Sequence, residues 1–183
     1  MKQKAFFMLG GPASGKGTQS KRLVDLLNSI GFNSTQVSTG DLIRAYTGSN
    51  PKIIESKETG CHLEDEYISW LIDKRLKGIP SKIIFFDGYP RNPSQVDEVK
   101  DKYNILGVYE LSVPIPVMRE RMIKRNRASD DITSRIKDYI TLNQPAIELF
   151  TNRVIIDGNI DKDCVFQTLK EDVLETLSYL RKF

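Results

Sequence analysis

Little in this chain suggests cysteine or histidine chemistry, for its 183 residues include only two cysteines and one histidine. Cys61 and Cys164 are isolated and lack Cys-x-x-Cys spacing, which predicts reduced thiols and neither a disulfide nor a structural zinc site. His62 stands alone and, like Cys61, reads as a loop or packing residue rather than a catalyst. No run approaches the roughly 18 apolar residues of a membrane-spanning helix, so no bilayer crossing is expected. Met1-Lys2-Gln3-Lys4 leads straight into Ala5-Phe6-Phe7-Met8-Leu9, too short an apolar stretch for a signal sequence, and a cytoplasmic location is the expectation. A strong charge of one sign is also missing: net +3 is too small to argue for a nucleic-acid partner, and none is expected. What is there is a soluble balance of 39% apolar and 28% charged residues in a length that suits one domain.

Short apolar runs recur along the chain: Ala5 to Leu9, Gln36 to Ser38, Ile83 to Phe86, Val108 to Val113 and Val154 to Ile156, each followed by a glycine, proline or polar break. They predict buried strands. Between them apolar residues fall at helical spacing, as in Leu23, Leu26, Leu27 and Ile30, or Ile68, Leu71, Ile72 and Leu76. Alternating strand and helix implies an α/β fold, a five-stranded parallel sheet flanked by helices. Pro145 interrupts a helical pattern from Ile132 to Phe150 and, having no N–H to donate, is predicted to kink or divide that helix.

The first predicted strand runs into Gly10-Gly11-Pro12-Ala13-Ser14-Gly15-Lys16-Gly17-Thr18-Gln19, a G-x-x-x-x-G-K loop that opens a helix. Glycines let backbone N–H groups turn toward phosphate oxygens, the helix N-terminus adds partial positive charge, and Lys16 reaches the phosphates farther out. A plain glycine-rich turn would need neither the full spacing nor the lysine. A nucleoside triphosphate is therefore the expected guest of residues 11–19. Gly17 separates Lys16 from Thr18, where a Ser or Thr commonly follows the lysine directly, so Thr18 is the hydroxyl nearest a metal ion. Gly-Lys-Gly-Thr-Gln resembles the P-loop of adenylate kinases, within the P-loop NTPase class.

Four further motifs carry the same resemblance. Ser38-Thr39-Gly40-Asp41-Leu42-Ile43-Arg44 sets a hydroxyl and a carboxylate at a helix start and an arginine one turn in. Capping explains the first two and leaves Arg44 unexplained. The stretch resembles the AMP-binding segment of the family, which implies AMP contacts from Thr39 at the adenine end, from Gly40, and from Arg44 at the phosphate. Phe85-Phe86-Asp87-Gly88-Tyr89-Pro90-Arg91 ends an apolar strand with a carboxylate, the position expected to hold Mg²⁺ through water. Asp87 and Thr18 are thus the candidate metal-side residues. Arg91 leaves a Gly-Tyr-Pro turn with a planar fork suited to paired phosphate oxygens. The resemblance implies further AMP contacts at Gly88, Arg91 and Gln95, whose amide can pair with an adenine edge. UMP/CMP kinases are the alternative: they share an asparagine at the Asn92 position but carry alanine and asparagine at the Thr39 and Gln95 positions. The stretch from Asn50 to Glu66 is expected to cover the monophosphate base, within a monophosphate-binding segment over 39–67. Its Gly60-Cys61-His62-Leu63-Glu64 departs from the family's Gly-x-Leu-Val-Pro, with Glu64 in the proline place.

Arg119, Arg121, Arg125, Arg127 and Arg135 gather in a short span, with Arg121 and Arg125 four apart and so on one helix face. Such a group of arginines needs a shared anion, although a basic solvated helix would have the same composition. Arg121-Met122-Ile123-Lys124-Arg125 resembles the family stretch in which the first arginine stacks on the ATP adenine and the second contacts phosphate. Arg127 and Arg135 resemble the paired lid arginines that converge on the transferred group, and Asp130 with Asp131 the acidic pair. Residues 121–135 are expected to form a short lid without zinc. The resemblance also puts the loop of Asp157-Gly158-Asn159 against the ATP adenine, through the backbone of Gly158.

Spanning essentially the whole chain, the resemblance implies a nucleoside monophosphate kinase, an adenylate kinase of the short-lid form. One P-loop kinase domain over 1–183, acting as a monomer, would move a phosphoryl group from Mg-ATP to AMP, giving two ADP and maintaining adenine nucleotide balance. Lys16, Arg91, Arg125, Arg127 and Arg135 are the candidate catalytic residues, acting by positioning and positive charge. A non-catalytic nucleotide-binding protein is the third reading, resting on a lid one residue longer than the family pattern between Arg127 and the acidic pair.

Overall fold

Strand β1 (Gln3–Gly10) sits at the centre of the molecule because its side chains are apolar on both faces. In a computed structural model, which describes residues 2–80, 82–127 and 131–180, Ala5, Phe7 and Leu9 enter one core while Phe6 and Met8 enter another. A strand buried on both sides has to lie inside a sheet covered on both sides. Strands β3 (Ile83–Asp87) and β4 (Tyr103–Ser112) flank it, and β2 (Ser34–Ser38) and β5 (Val154–Asp157) form the edges. The order is β2-β3-β1-β4-β5 with every pair parallel. Stacked rings tie β1 to β3 on opposite faces, Phe7 on Phe86 at 5.0 Å and Phe6 on Phe85 at 4.9 Å between centroids.

Helices α1 (Lys16–Ser29) and α9 (Lys162–Leu180) cover one face with Leu23, Leu27, Leu169 and Val173. The other core takes side chains from α2 (Thr39–Arg44), α3 (Pro51–Thr59), α4 (Asp65–Leu76), α5 (Pro93–Lys102), α6 (Ile115–Arg125), α7 (Ile132–Asp138) and α8 (Gln144–Glu148). No helix among the described residues is long and apolar enough to cross a membrane.

All five predicted strands are present, and three begin earlier than the apolar pattern, β1 by two residues at Gln3. β4 extends back to Tyr103 through Asn104 and Gly107, and Leu106 is an extra residue opposite the Ala5–Phe6 step, a bulge that breaks the alternation a sequence pattern relies on. β2 starts at Ser34, whose buried hydroxyl is bonded to Val24 and Asn28. Pro145 divides its helix as predicted: α7 ends at Asp138, a π-helical turn spans Tyr139–Asn143, and α8 restarts with Pro145 in its first turn, where a missing N–H costs nothing. Because all strands run the same way, the loops after them collect at one carboxyl edge, the place where open α/β sheets bind ligands.

Candidate active site

The loop after β1 is shaped by backbone conformations that few side chains tolerate. Gly10, Ala13 and Gly15 have φ of 128°, 57° and 101°, and α1 begins one residue later. At Gly10 a β-carbon would also stand 2.4 Å from the Leu111 carbonyl oxygen. Lys16 Nζ donates to the Gly11 carbonyl at 2.6 Å and to Ser14 Oγ at 3.2 Å, so its ammonium lies within the loop. Burial pushes its pKa down to about 8; Asp87 opposes this, while Arg91, Arg135 and Arg125 reinforce it. A β-carbon on Gly17 would come within 2.9 Å of Asp87 Oδ2. The residue that interrupts the commoner Lys-Ser/Thr pattern therefore lets the first turn of α1 close on the end of β3.

Across the cavity, Ser38 caps α2 by accepting from the Asp41 N–H at 3.4 Å, and Arg44 pairs with Asp41 on the same helix. The Gly88 carbonyl accepts from Thr39 Oγ1 at 2.9 Å and from Arg91 Nε at 2.8 Å, which joins α2 to the loop after β3. Burial pushes the Arg91 pKa down to about 10, Arg135 adds to this and Asp87 opposes it, and the group stays charged at neutral pH. Asn92 caps α5, its Oδ1 accepting from the Gln95 N–H at 3.0 Å, and its Nδ2 donates to Asp65 Oδ1 at 2.7 Å. Gln95 is buried; its Oε1 accepts from the Arg91 N–H at 2.7 Å and its Nε2 donates to Asp65 Oδ1 at 2.7 Å.

On the third side, Arg121 donates to the Gly158 carbonyl at 3.0 Å and to Asn159 Oδ1 at 3.3 Å. Gly158 packs on the P-loop, where a β-carbon would meet Val113 Cγ2 at 2.7 Å and the Ser14 carbonyl oxygen at 3.2 Å. Asp131 caps α7, accepting from the Thr133 and Ser134 N–H groups at 3.0 and 3.1 Å. Asp130 lies outside the described residues, and Arg119 is exposed and outside the cavity.

These three sides enclose one cavity of ≈ 710 Å³, within the usual range for a ligand site. Among the predicted residues, Pro12, Ala13, Ser14, Gly15, Lys16, Gly17, Thr18, Gly40, Arg44, Asp87, Gly88, Arg91, Arg121, Arg125, Arg127 and Arg135 line it. Gly11, Gln19, Thr39, Gln95 and Gly158 are not on the lining; Gly11, Thr39, Gln95 and Gly158 are bonded to the lining residues Lys16, Gly88, Arg91 and Arg121, and Gln19 to the Lys162 carbonyl at 2.8 Å. Residues not singled out by motif also line it, among them Lys21, Arg22, Gln36, His62, Asp138 and Asn143. Asp138 falls one turn after Arg135, a helical spacing that could have flagged it. His62 carries no motif signal; burial and the nearby Arg91 hold its pKa below the usual histidine range, so it is neutral at pH 7. Counting the described lining residues, the nine cations Lys16, Lys21, Arg22, Arg44, Arg91, Arg121, Arg125, Arg127 and Arg135 face the four carboxylates Asp25, Asp41, Asp87 and Asp138.

The family model described as adenylate kinase matches residues 8–155. An adenylate kinase from Prochlorococcus marinus (strain NATL1A) is 32% identical, with 94% of this chain and 100% of that protein covered. Adenylate kinase 1 from Schistosoma mansoni is 34% identical over 94% of this chain and 93% of that protein, and an adenylate kinase from Campylobacter jejuni is 29% identical over 92% and 95%. The matched span runs from the first strand through the P-loop, the acceptor loops and the arginines to the last strand, and the chain accordingly belongs to the adenylate kinase family, a nucleoside monophosphate kinase.

Proposed function

We propose that this kinase holds ATP and AMP end to end in this cavity and moves the γ-phosphoryl between them, giving two ADP. The observation that carries this is the convergence of nine cations, from α1, α2, the loop after β3, the α6 region and α7, on the cavity that the P-loop also lines. Like charges gathered in this way repel one another, and the lowered pKa values of Lys16 and Arg91 come first from burial and then in part from neighbouring arginines. An entering polyphosphate relieves the repulsion, which is how such a site stabilises charge that develops during transfer.

On the donor side, Gly11 to Gln19 cradle the ATP phosphates, Lys16 and Arg125 contact them, and Arg121 and Gly158 hold the adenine. On the acceptor side, Thr39, Gly40, Arg44, Gly88, Arg91 and Gln95 take AMP, while Arg127 and Arg135 converge on the migrating group. Segments 39–67 and 121–135 act as the two covers that exclude water, which would otherwise compete with AMP. The family works on Mg-ATP. Thr18 and Asp87 would hold the ion: one hydroxyl and one carboxylate suit a Mg²⁺ that keeps several waters and takes its other oxygens from phosphate, and Gly17 keeps a β-carbon away from the Asp87 carboxylate. A Mg²⁺ held by Thr18 and Asp87 would supply positive charge to the ATP phosphates. A monomeric, cytoplasmic enzyme completes the reading, checked by sedimentation and fractionation.

With Mg²⁺ present, the purified protein is expected to interconvert ATP plus AMP with two ADP, and Lys16→Ala or Arg91→Ala to abolish this; full activity in either variant would reject the assignments. Offered AMP, CMP, UMP and GMP in turn, it is expected to prefer AMP. Preference for UMP or CMP would favour the pyrimidine reading, whose sequence support at Asn92 is matched here by an ordinary role in capping α5. ATP binding without ADP formation would favour the non-catalytic reading.

A further inference from the structure

The acceptor loop contains a polar knot that phosphate binding does not require. Asp65, the first residue of α4, accepts from Asn92 Nδ2 at 2.7 Å, from Ser94 Oγ at 2.5 Å and from Gln95 Nε2 at 2.7 Å. On the other side of the same amide, Gln95 Oε1 accepts from the Arg91 N–H at 2.7 Å. Gln95 is 1% exposed, so these partners cannot be exchanged for water. The pair fixes the amide unambiguously. A backbone N–H can only donate, so it must face the oxygen; an ionised carboxylate can only accept, so it must face the nitrogen. Turning the amide over would set N–H against N–H on one side and oxygen against carboxylate on the other. Arg91 and His62, which adjoin this knot, line the cavity, with His62 Nε2 4.0 Å from Asp65 Oδ1.

A free glutamine is an undiscriminating reader of bases. With its oxygen toward an amino group and its nitrogen toward an unprotonated ring nitrogen it pairs with adenine; turned over, it pairs equally well with a keto base, which presents an acceptor where adenine presents a donor. Each bonded group keeps spare capacity, one N–H on Nε2 and one lone pair on Oε1. We propose that Asp65 is a positioning residue for acceptor choice: by holding the Gln95 amide in one orientation, it lets the site accept a 6-aminopurine monophosphate and reject its 6-keto counterpart. The inference rests on the reading of Gln95 as the residue that meets the acceptor base. It assigns the discrimination to the carboxylate behind that residue, which no local motif marks.

The experiment compares kcat/KM for AMP and for IMP, which differ only at the 6-position and its neighbouring ring nitrogen, with saturating Mg-ATP. Asp65→Ala is expected to lower the AMP-to-IMP ratio about tenfold, the low end of what a hydrogen bond to a charged group is worth, through KM for AMP and kcat/KM for IMP, with KM for ATP unchanged. Asp65→Asn keeps an acceptor oxygen and is expected to restore most of the ratio, which a purely electrostatic role would not predict. In a Gln95→Ala background, Asp65→Ala is expected to change the ratio no further. Should Asp65→Ala fail to fold, as judged by its melting curve, Asp65→Ser takes its place, since serine is favoured at a helix start and donates as readily as it accepts. An unchanged ratio in the folded Asp65 variants, with Gln95→Ala lowering it, overturns the lock alone. An unchanged ratio in Gln95→Ala overturns the assignment of Gln95 and the lock with it.

Discussion

The donor and acceptor halves of this site are built from different materials. Around the P-loop the work is done by backbone: left-handed residues at 10, 13 and 15, a helix start at Lys16, and glycines at 10, 11, 17 and 158 where any side chain would collide with Leu111, Met118, Asp87 or Val113. Around the acceptor loop it is done by side chains that reach across long stretches of sequence, Thr39 to Gly88 and Asp65 to Gln95. Backbone cradles suit a phosphate chain, which is the same in every nucleotide; side-chain networks suit the part of the substrate that varies.

Substitutions can sharpen or break that contrast. The largest effect is expected where acceptor and donor charges meet: Arg135→Ala should lower kcat by about 10³-fold, the scale of an arginine that contacts migrating phosphate, with little change in ATP affinity measured by calorimetry. A kcat within a few-fold of wild type would remove Arg135 from the transfer site. On the backbone-built side, Gly17→Ala should cost about 10²-fold in kcat/KM for Mg-ATP by displacing Asp87 or the first turn of α1, with little change in Tm. Gly10→Ala, whose β-carbon meets an immovable carbonyl at positive φ, should instead cost about 3 kcal/mol of stability in a denaturant titration. If both glycine variants behave like wild type, the cradle is less constrained than its contacts indicate.

A smaller, pH-dependent effect separates the halves again. Lys16 is held at about pKa 8, below its ordinary 10.5, so the free enzyme loses this charge as pH rises through 8. A neutral amine binds phosphate less well, and kcat/KM for Mg-ATP, which reports the free enzyme, should fall above about pH 8 by up to about tenfold per unit. Lys16→Arg should lose that shoulder even if its activity is low. The smallest effect is expected behind the acceptor loop: the Tyr89 hydroxyl donates to Glu98 at 2.9 Å, and Tyr89→Phe should cost about 1 kcal/mol of stability and leave kcat unchanged.

The same contrast explains what could be read from the sequence. The P-loop and the strand-helix alternation were legible because their causes are local: turn conformation, helix start and burial of consecutive residues. Pro145 announced its break in the same way. Gly17 was visible as an irregularity, but its reason, the Asp87 carboxylate 2.9 Å from a would-be β-carbon, needed the fold. The first half of β4 was hidden by a bulge at Leu106. On the acceptor side the arginines were found by family pattern, whereas Asp65 was not found at all, since its partners Asn92, Ser94 and Gln95 lie on another helix and no spacing within α4 marks it. His62 likewise becomes a site residue only when separate segments meet at the cavity, whereas Asp138 shares α7 with Arg135 and its spacing could have marked it.

The central claim is that one cavity holds both nucleotides at the same time, so that phosphoryl passes directly between them. Initial velocities measured on a grid of ATP and AMP concentrations test it: reciprocal plots that intersect are predicted, the signature of a complex containing both substrates. Parallel lines, the signature of a phosphorylated enzyme formed before AMP binds, would contradict it.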